Sequence, residues 1–173
     1  MSPRMIVISG SMGSGKTTVL GEASDLLSAA AVAHAAIDLD ALGTGAVADA
    51  VAREFVYRSL GAIYQNIRRA GIRHVLLAEA VETREELERI RGATAGAQMT
   101  VCRLVAPAGV LQARVRARER GMLQQQFVDR ARHLDDVLRA AALEDFALPN
   151  YARPVTEVAR ELLQRAGWCD RHP

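Results

Sequence analysis

Residues Met5 to Thr18 read Met-Ile-Val-Ile-Ser-Gly-Ser-Met-Gly-Ser-Gly-Lys-Thr-Thr, and this stretch decides the fold. Within it, Gly10, four further residues, Gly15, Lys16 and Thr17 match the pattern G-x-x-x-x-G-K-[ST]. The residues before Gly10 are apolar and partly β-branched, which is typical of a buried parallel strand. After Thr17, apolar side chains recur at helical spacing. The pattern therefore lies between a predicted strand and a predicted helix, which is the context expected of a phosphate-binding loop.

The composition of this loop suits a nucleotide phosphate tail. Its glycines allow backbone conformations that a Cβ would block, so that successive N–H groups can converge on phosphate oxygens. Lys16 adds a positive charge for the β- and γ-phosphates, and the Thr17 hydroxyl is placed to hold Mg²⁺. We therefore predict ATP and Mg²⁺ as cofactors, and the predicted cofactor-binding residues of the loop are Gly10, Ser11, Met12, Gly13, Ser14, Gly15, Lys16, Thr17 and Thr18.

Lys16 is also the only lysine in the sequence, and the other strongly basic residues are all arginine. A compact ammonium on a flexible stem can enter a phosphate cradle in which a planar guanidinium is too wide. The single lysine therefore supports a phosphate-binding role at this position.

The length and composition predict one globular domain over residues 1–173, and the loop motif predicts a nucleotide as its partner. Aromatic residues make up only 4% and the net charge is +2, which argues against partners such as nucleic acid or a membrane surface. No apolar run is long enough to span a bilayer, and no signal peptide precedes the loop. The two isolated cysteines fit a reducing cytoplasm. The sequence does not indicate the oligomeric state.

Strands and helices alternate along the rest of the chain, which predicts a parallel sheet covered by helices on both faces. The capping-box pair Thr83 and Glu86 marks one helix start, and a break near Gly61 is expected within a long helix. The predicted strands cover about 5–9, 33–38, 73–80, 99–106 and 146–148. The first predicted helix follows the loop, and a turn at 43–45 precedes a second helix at about 46–70. Further helices are predicted to start at 83 and 107, to cover about 124–142, and to start at 154.

Two carboxylates follow the second predicted strand. Asp38 and Asp40 lie at its carboxyl end, where open α/β sheets bind ligands. Alternate residues of an extended segment point the same way, so both carboxylates would face one site. The alternative is that one or both merely end a strand in solvent.

The densest basic cluster comes late, at Arg114, Arg116, Arg118 and Arg120. On a helix Arg114 and Arg118 share a face, and arginine there would stabilise charge on a transferring phosphoryl group. We predict a lid at about 114–128 with Gly121 as a hinge. The alternative is a solvated helix face.

The order of phosphate loop, aspartate pair and arginine cluster resembles the small P-loop kinases, among them adenylylsulfate, gluconate and shikimate kinases and chloramphenicol phosphotransferase. The resemblance implies a three-layer α/β fold with five parallel strands in the order 2-3-1-4-5 and an arginine-bearing lid. By similarity to the Asp-x-Asp of shikimate kinase, Asp38 would order the Mg²⁺ shell with Thr17, and Asp40 would contact the acceptor. Arg153 would lie in a loop resting against the adenine.

Glu79 departs from that pattern, because many P-loop proteins carry an aspartate for Mg²⁺ at this strand end. It would either touch the acceptor or simply end a strand.

The leading hypothesis is an ATP-dependent kinase that transfers the γ-phosphoryl group to a hydroxyl, or a phosphate, of a small-molecule or nucleotide-like acceptor. Its predicted catalytic residues are Lys16, Asp38, Asp40, Arg114 and Arg118, with Asp40 as the base. The alternative is a nucleotide-switched regulatory protein or a slow ATPase. No Asn-Lys-x-Asp run specifies guanine, but the choice between ATP and GTP stays open. The acceptor segment at 42–65 does not name the acceptor, and its polar groups are Arg53, Arg58, Tyr57 and Tyr64.

Overall fold

A parallel sheet of five strands forms the centre of the computed structural model, which describes residues 2–42 and 48–168. The spatial order is β2-β3-β1-β4-β5, and every neighbouring pair is parallel. This order confirms the predicted 2-3-1-4-5 arrangement. The strands are β1 (Arg4–Gly10), β2 (His34–Asp38), β3 (His74–Ala78), β4 (Gln98–Val105) and β5 (Phe146–Pro149).

Helices cover both faces of the sheet. Helices α1 and α6 pack on one face, and α2 and α3 pack on the other. A short 3₁₀ turn, Leu39–Leu42, continues β2. No helix in the described ranges is long and apolar enough to cross a membrane. The helices are α1 (Lys16–Ala29), α2 (Asp49–Arg69), α3 (Arg84–Ala93), α4 (Ala108–Arg118), α5 (Gln124–Ala141) and α6 (Val155–Arg165).

The central strand β1 is buried from both sides, which explains its nearly unbroken apolar sequence. Met5 and Val7 point into the layer formed with α2 and α3, whereas Ile6 and Ile8 point into the layer formed with α1 and α6. Full burial of such side chains stabilises a fold by about 1.5–3 kcal/mol each. The strand that leads into the phosphate loop is therefore held firmly.

Helix α2 corrects one expectation from the sequence. It runs without interruption from Asp49 to Arg69, so the break predicted near Gly61 is wrong. Leu60 and Tyr64 are buried on its inner face and hold the helix straight against the sheet. A Cβ at Gly61 would lie 3.6 Å from the carbonyl oxygen of Ala93, at the end of α3, which is ordinary van der Waals contact, so the packing here does not require a glycine. The predicted turn at 43–45 and helix start at 46 lie outside the described residues.

The capping box at the start of α3 is confirmed. Thr83 Oγ1 accepts a hydrogen bond from the Glu86 N–H at 3.2 Å, and Glu86 Oε2 accepts one from the Thr83 N–H at 3.2 Å. Glu86 Oε2 also accepts a hydrogen bond from the Glu82 N–H at 2.8 Å. Such a cap stabilises a helix start by about 1 kcal/mol and here fixes the loop that follows β3.

Candidate nucleotide and acceptor site

The phosphate loop joins β1 to α1 in the conformation that its glycines permit. Gly13 and Gly15 have φ values of 79° and 92°, in the left-handed region. Gly15 is the N-cap of α1 and has no side chain to cap the helix, so the first amides of α1 carry no side-chain cap. An uncapped helix N-terminus beside a glycine-rich loop is an anion-binding arrangement.

Contacts from two distant segments hold the loop in place. Asn150, directly after β5, donates from Nδ2 to the Ser14 carbonyl oxygen at 2.7 Å, and this amide would collide with any Cβ at Gly15. Ser11 Oγ donates to the Ala131 carbonyl oxygen of α5 at 2.7 Å. The sequence placed Asn150 only at the end of the fifth predicted strand and at the start of the loop 150–154 expected near the adenine, and it assigned no contact to the Asn150 side chain.

Lys16 projects across the loop. Its Nζ donates to the Gly10 carbonyl oxygen at 3.1 Å and lies 4.0 Å from Asp40 Oδ2. The Lys16 side chain is 10% exposed, whereas that of Asp40 is 64% exposed. A carboxylate so exposed contributes little to stability through this pair. The arrangement instead leaves the ammonium available to phosphate oxygens and the Asp40 carboxylate accessible to a second substrate.

Thr17 and Asp38 form a second pair at the start of α1. Thr17 Oγ1 donates to Asp38 Oδ2 at 2.7 Å, and Asp38 Oδ1 accepts from the Asp40 N–H at 3.2 Å. Mg²⁺ prefers one or two protein oxygens completed by phosphates and water, and this hydroxyl–carboxylate pair fits that requirement. In the described ranges, no group of three or more His, Cys, Asp or Glu residues is suited to hold a metal.

A buried polar atom in the loop also fits a bound anion. Ser14 Oγ is buried and has no hydrogen-bond partner among the described residues. Buried hydroxyls are normally satisfied, so an orphaned one marks a place where a further group completes the site. The loop therefore fits ATP by its uncapped amides, its lysine and its unpaired hydroxyl.

An open cleft of about 310 Å³ lies over the loop and gathers most of the predicted residues. Arg114 and Arg118 both line it, as their shared helix face predicts. Three predicted residues do not line the cleft. Gly10 accepts a hydrogen bond from Lys16, Asp38 accepts one from Thr17, and Ser14 is buried. The lining residues are Ser11, Met12, Gly13, Gly15, Lys16, Thr17, Thr18, Asp40, Arg114 and Arg118.

Arg114 connects the phosphate loop to the residue that follows β5. Its guanidinium donates to the Gly13 carbonyl oxygen at 3.2 Å and to the Asn150 carbonyl oxygen at 2.9 Å. Arg118 is more exposed and pairs with Glu119 at 2.8 Å, at the point where α4 ends. Arg114 is thus already positioned by the loop, whereas Arg118 is held only by a neighbour in sequence.

Arg153 lies elsewhere in the described structure. Its guanidinium pairs with Glu161 at 2.8 Å and with Glu157 at 3.8 Å, both on α6. These contacts hold the loop before α6 against that helix. A contact between Arg153 and adenine stays a prediction.

Glu79 lies at the carboxyl edge of the sheet beside the phosphate loop. It directly follows β3, and its N–H donates to the Ile8 carbonyl oxygen of β1 at 3.1 Å. Burial raises the pKa of its carboxyl to about 8; the charges of Asp40, Glu86 and Asp38 act in the same direction and that of Lys16 opposes them. Glu79 is therefore a third carboxyl group near Lys16, in addition to those of Asp38 and Asp40.

Tyr57 of α2 is close enough to Glu79 for the charge of the carboxylate to act on it. Burial raises the pKa of its phenol to about 12, and the charges of Glu86 and Glu79 act in the same direction.

One turn of α5 contacts both sides of this region. Arg130 pairs with Glu82, in the loop after β3, at 3.2 Å. The next residue, Ala131, accepts the hydrogen bond from Ser11 of the phosphate loop. Helix α5 thus connects the nucleotide side to the β3–α3 loop.

Comparison with known proteins gives no match by sequence: neither a family profile nor a characterised protein sequence matches this chain. Solved structures do match over nearly its whole length. A gluconokinase from Sinorhizobium meliloti 1021 is 22% identical with a TM-score of 0.64, covering 95% of this chain and 92% of its own. The APS kinase of Mycobacterium tuberculosis, in complex with AMPPNP and APS, is 19% identical with a TM-score of 0.67, covering 94% and 96%. The fold is that of the small P-loop kinases.

Further solved structures share this P-loop kinase fold. The shikimate kinase of Acinetobacter baumannii, in complex with shikimate, is 17% identical with a TM-score of 0.61, covering 98% of this chain and 96% of its own. The tunicamycin resistance protein of Deinococcus radiodurans is 15% identical with a TM-score of 0.67, covering 99% of both chains. At these identities the likeness establishes the P-loop kinase fold, and the chemistry must be argued from the side chains.

Proposed function

We propose that this chain is an ATP-dependent kinase that phosphorylates a hydroxyl group of a small molecule. The observation that carries the proposal is the position of Asp40, whose exposed carboxylate lies 4.0 Å from the buried ammonium of Lys16. A phosphate-binding group and a candidate base thus share one cleft. The fold supports the proposal, because solved kinases with this fold include complexes with AMPPNP and APS and with shikimate.

The phosphate side of the cleft would hold the nucleotide. The loop amides and Lys16 would neutralise the β- and γ-phosphates, and Thr17 and Asp38 would hold Mg²⁺. When bound, Mg²⁺ supplies positive charge to the phosphate oxygens. Lys16 is already drawn across the loop by the Gly10 carbonyl, so little rearrangement is needed for it to meet a phosphate.

The open side of the cleft would hold the acceptor. Asp40 would accept the proton of the acceptor hydroxyl while the hydroxyl oxygen of the acceptor bonds to the γ-phosphorus. The bond from phosphorus to the bridging oxygen breaks, and ADP carries away that electron pair. Arg114 and Arg118, on the opposite wall, would stabilise charge on the transferring group, and the segment at about 114–128 would act as the lid.

The experiment is an ADP-release assay with hydroxyl-bearing metabolites, using wild type, Lys16→Ala and Asp40→Asn. Asp136→Asn is the matched control, because Asp136 has a similarly exposed side chain at 62% but lies on α5 and pairs with Arg139. We expect acceptor-dependent turnover that Lys16→Ala abolishes, that Asp40→Asn lowers at least about 100-fold, and that Asp136→Asn leaves unchanged.

Two other outcomes would contradict the proposal. Slow ATP hydrolysis that no acceptor stimulates, with tight nucleotide binding, would favour a nucleotide-switched regulatory protein. Acceptor-dependent turnover that persists in Lys16→Ala would place the chemistry outside this cleft.

A further inference from the structure

A cluster of buried ion pairs lies beside the strand that leads into the phosphate loop. Arg103 of β4 is the register partner of Ser9, the residue before Gly10. Its Nε donates to Glu144 Oε1 at 2.7 Å, and its Nη1 lies 3.9 Å from Asp135 Oδ1. The side chains of Arg103, Asp135 and Glu144 are only 12%, 8% and 15% exposed. None of these three lines the cleft over the loop, as far as the described residues show.

The pairing of these charges constrains geometry more than it adds stability. The attraction within a buried ion pair often offsets the lost hydration only in part, so an apolar cluster of similar volume can stabilise a fold as well or better. Charge pairs nevertheless hold one arrangement, because removing either partner leaves a buried charge without compensation. Asp135 has a second partner, since Arg139 donates to its Oδ2 at 2.6 Å. Both oxygens of Asp135 are therefore engaged, and its pair with Arg103 constrains the rotation of α5 about its axis.

The same face of α5 contacts the phosphate loop. Ala131 lies four residues before Asp135, which places both on one face of the helix, and the Ala131 carbonyl oxygen is the helical acceptor of the Asp135 N–H. This carbonyl oxygen also accepts a 2.7 Å hydrogen bond from Ser11 Oγ, and both residues are buried. The Ser11 carbonyl oxygen in turn accepts from the Ser14 N–H at 3.1 Å, which closes the turn that contains Gly13. The position of α5 therefore acts on this turn of the loop.

Asp135 lies far from the exposed end of α5. The helix begins at Gln124, within the lid segment, and Gln124 Nε2 donates to two carbonyl oxygens at the end of α4 at 3.0 and 2.8 Å. From Gln124 to Asp135 the helix extends about 16 Å. Met122, just before the helix, is 99% exposed, whereas Asp135 is buried. The ion pair with Arg103 is therefore an anchor for α5 on the sheet side, away from the lid.

We propose that Asp135, held by Arg103, is a positioning residue of the nucleotide site. It keeps α5 at the height and rotation at which the Ala131 carbonyl oxygen bonds Ser11, and it thereby preserves the loop shape that binds a nucleoside triphosphate. Asp135 acts through these two residues and touches neither the nucleotide nor the acceptor. The inference rests on nucleotide binding, the first step of the proposed function, and it extends the site to a buried ion pair outside the cleft.

A double-mutant cycle tests this route. Asp135→Asn keeps the size of the side chain and removes the charge that pairs with Arg103, and Ser11→Ala removes the hydroxyl that contacts α5. Calorimetry with Mg²⁺ measures the Kd of AMPPNP for wild type, both single variants and the double variant. Urea denaturation shows that each protein is folded under the binding conditions. Arg103→Lys keeps the charge but loses the planar fork, so it is a milder second variant for the same cycle should Asp135→Asn not fold.

Two controls separate positioning from a general loss of stability. Asp129→Asn makes the same change on α5, but Asp129 is exposed and its partner, Gln125 at 2.9 Å, belongs to the same helix. Ile67→Ala lowers stability at a buried position in the last turn of α2. That turn leads to the amino edge of the sheet, whereas the phosphate loop lies at the carboxyl edge.

We expect Asp135→Asn and Ser11→Ala each to raise the Kd of AMPPNP about 5-fold or more, and the double variant to stay within about twofold of the weaker-binding single variant. Arg103→Lys should show the same non-additivity with Ser11→Ala. Asp129→Asn and Ile67→Ala should bind AMPPNP within about twofold of wild type, although Ile67→Ala lowers the urea midpoint.

A lower urea midpoint in Asp135→Asn with the Kd of wild type would show that the ion pairs are only structural and would overturn the inference. Effects of Asp135→Asn and Ser11→Ala that multiply in the double variant would also overturn it, because Asp135 would then act by another route. The kinase proposal fails separately. Non-additive Kd values without any acceptor-dependent turnover would overturn that proposal and leave the positioning role, whereas AMPPNP that does not bind to wild type would overturn both.

Discussion

Asn150 and Ser14 are 136 positions apart in the sequence, and the Asn150 side chain donates a 2.7 Å hydrogen bond to the Ser14 carbonyl oxygen. Asn150 is itself 7% exposed, and its own carbonyl oxygen accepts from Arg114. The residue after β5 thus connects the phosphate loop to the helix that carries Arg114 and Arg118. The conformation of the phosphate loop therefore depends in part on this amide, together with the hydrogen bond from Ser11 to Ala131.

Asn150→Ala tests that dependence. The variant leaves the buried Ser14 carbonyl oxygen without its partner, so we expect a loss of about 1–2 kcal/mol in the free energy of unfolding and weaker binding of AMPPNP. Urea denaturation and calorimetry measure the two effects. Asn66→Ala is the control, because Asn66 is exposed on α2: it should leave the affinity for AMPPNP unchanged, and its better helix propensity should raise the free energy of unfolding by no more than about 0.7 kcal/mol. Equal affinity for AMPPNP in Asn150→Ala and wild type would show that the loop holds its shape without this bond.

Two glycine-to-alanine substitutions should change the free energy of unfolding in opposite directions. Gly13 has a φ of 79°, and a Cβ there would lie 2.7 Å from the Leu111 carbonyl oxygen, so Gly13→Ala should destabilise the protein by about 1–3 kcal/mol. Gly21 lies within α1 with no atom within 4 Å of an added Cβ, so Gly21→Ala should stabilise by up to about 1 kcal/mol. Thermal and urea unfolding give both values. Tolerance of Gly13→Ala would mean that α4 moves away easily from the loop.

Thr17 and Asp38 allow a test of the metal. Thr17→Val removes the hydroxyl and Thr17→Ser keeps it, with the Asp38 contact preserved only in the second variant. We expect Thr17→Val to weaken the dependence of AMPPNP affinity on Mg²⁺ by about 10-fold or more and Thr17→Ser to resemble wild type. Calorimetry with Mg²⁺ and with EDTA makes the comparison. A Thr17→Val protein that still responds fully to Mg²⁺ would place the metal on other groups.

Glu79 predicts a specific pH dependence of stability. Its pKa is raised from an ordinary 4.5 to about 8, so the folded state binds this proton more tightly than the unfolded state. Its stabilising contribution is therefore complete below pH 4.5 and is lost as the pH rises through 8. Relative to Glu79→Gln, wild type should lose on the order of 5 kcal/mol across that interval. Urea denaturation without nucleotide or Mg²⁺ measures it, and parallel curves for the two proteins would contradict it.

Arg114 and Arg116 lie two residues apart on α4, and comparing their variants distinguishes a lid role from that of a solvated charge. Arg114 contacts the loop through Gly13, whereas Arg116 is exposed and lines no part of the cleft. If the chain is a kinase, Arg114→Ala should lower kcat/KM at least about 10-fold, because the transferring group loses a positive charge. Arg116→Ala should stay within about twofold of wild type. Equal activity of the two variants would indicate that the cluster is a solvated face.

The fold was predictable because its signals are local. The run from Met5 to Thr18 contains a strand, a glycine loop and a helix start in sequence, and Thr83 with Glu86 forms a cap within four residues. The break expected at Gly61 is absent because the packing of neighbouring side chains outweighs the weak helix propensity of one glycine. Leu60 and Tyr64 are buried in the core, and that packing is not visible from the helix sequence alone.

The residues of the cleft were predictable where a local pattern identifies them. Lys16 and Thr17 belong to the loop motif, and Asp40 follows a strand. Arg114 and Arg118 share a helix face, and they line the cleft with the other three. The contacts from Asn150 and Ala131 join segments more than a hundred residues from the loop. Arg153 was expected from the resemblance to contact adenine, but its guanidinium pairs with two glutamates of α6, and these pairs compete with that contact.

The solitary lysine has a practical consequence for chemistry at this cleft. Because no other side chain in the sequence carries a primary amine, an acyl-phosphate derivative of a nucleotide would acylate a side-chain amine only at Lys16. Mass spectrometry of the modified peptide would then report occupancy of the phosphate cradle directly, free of background from surface amines.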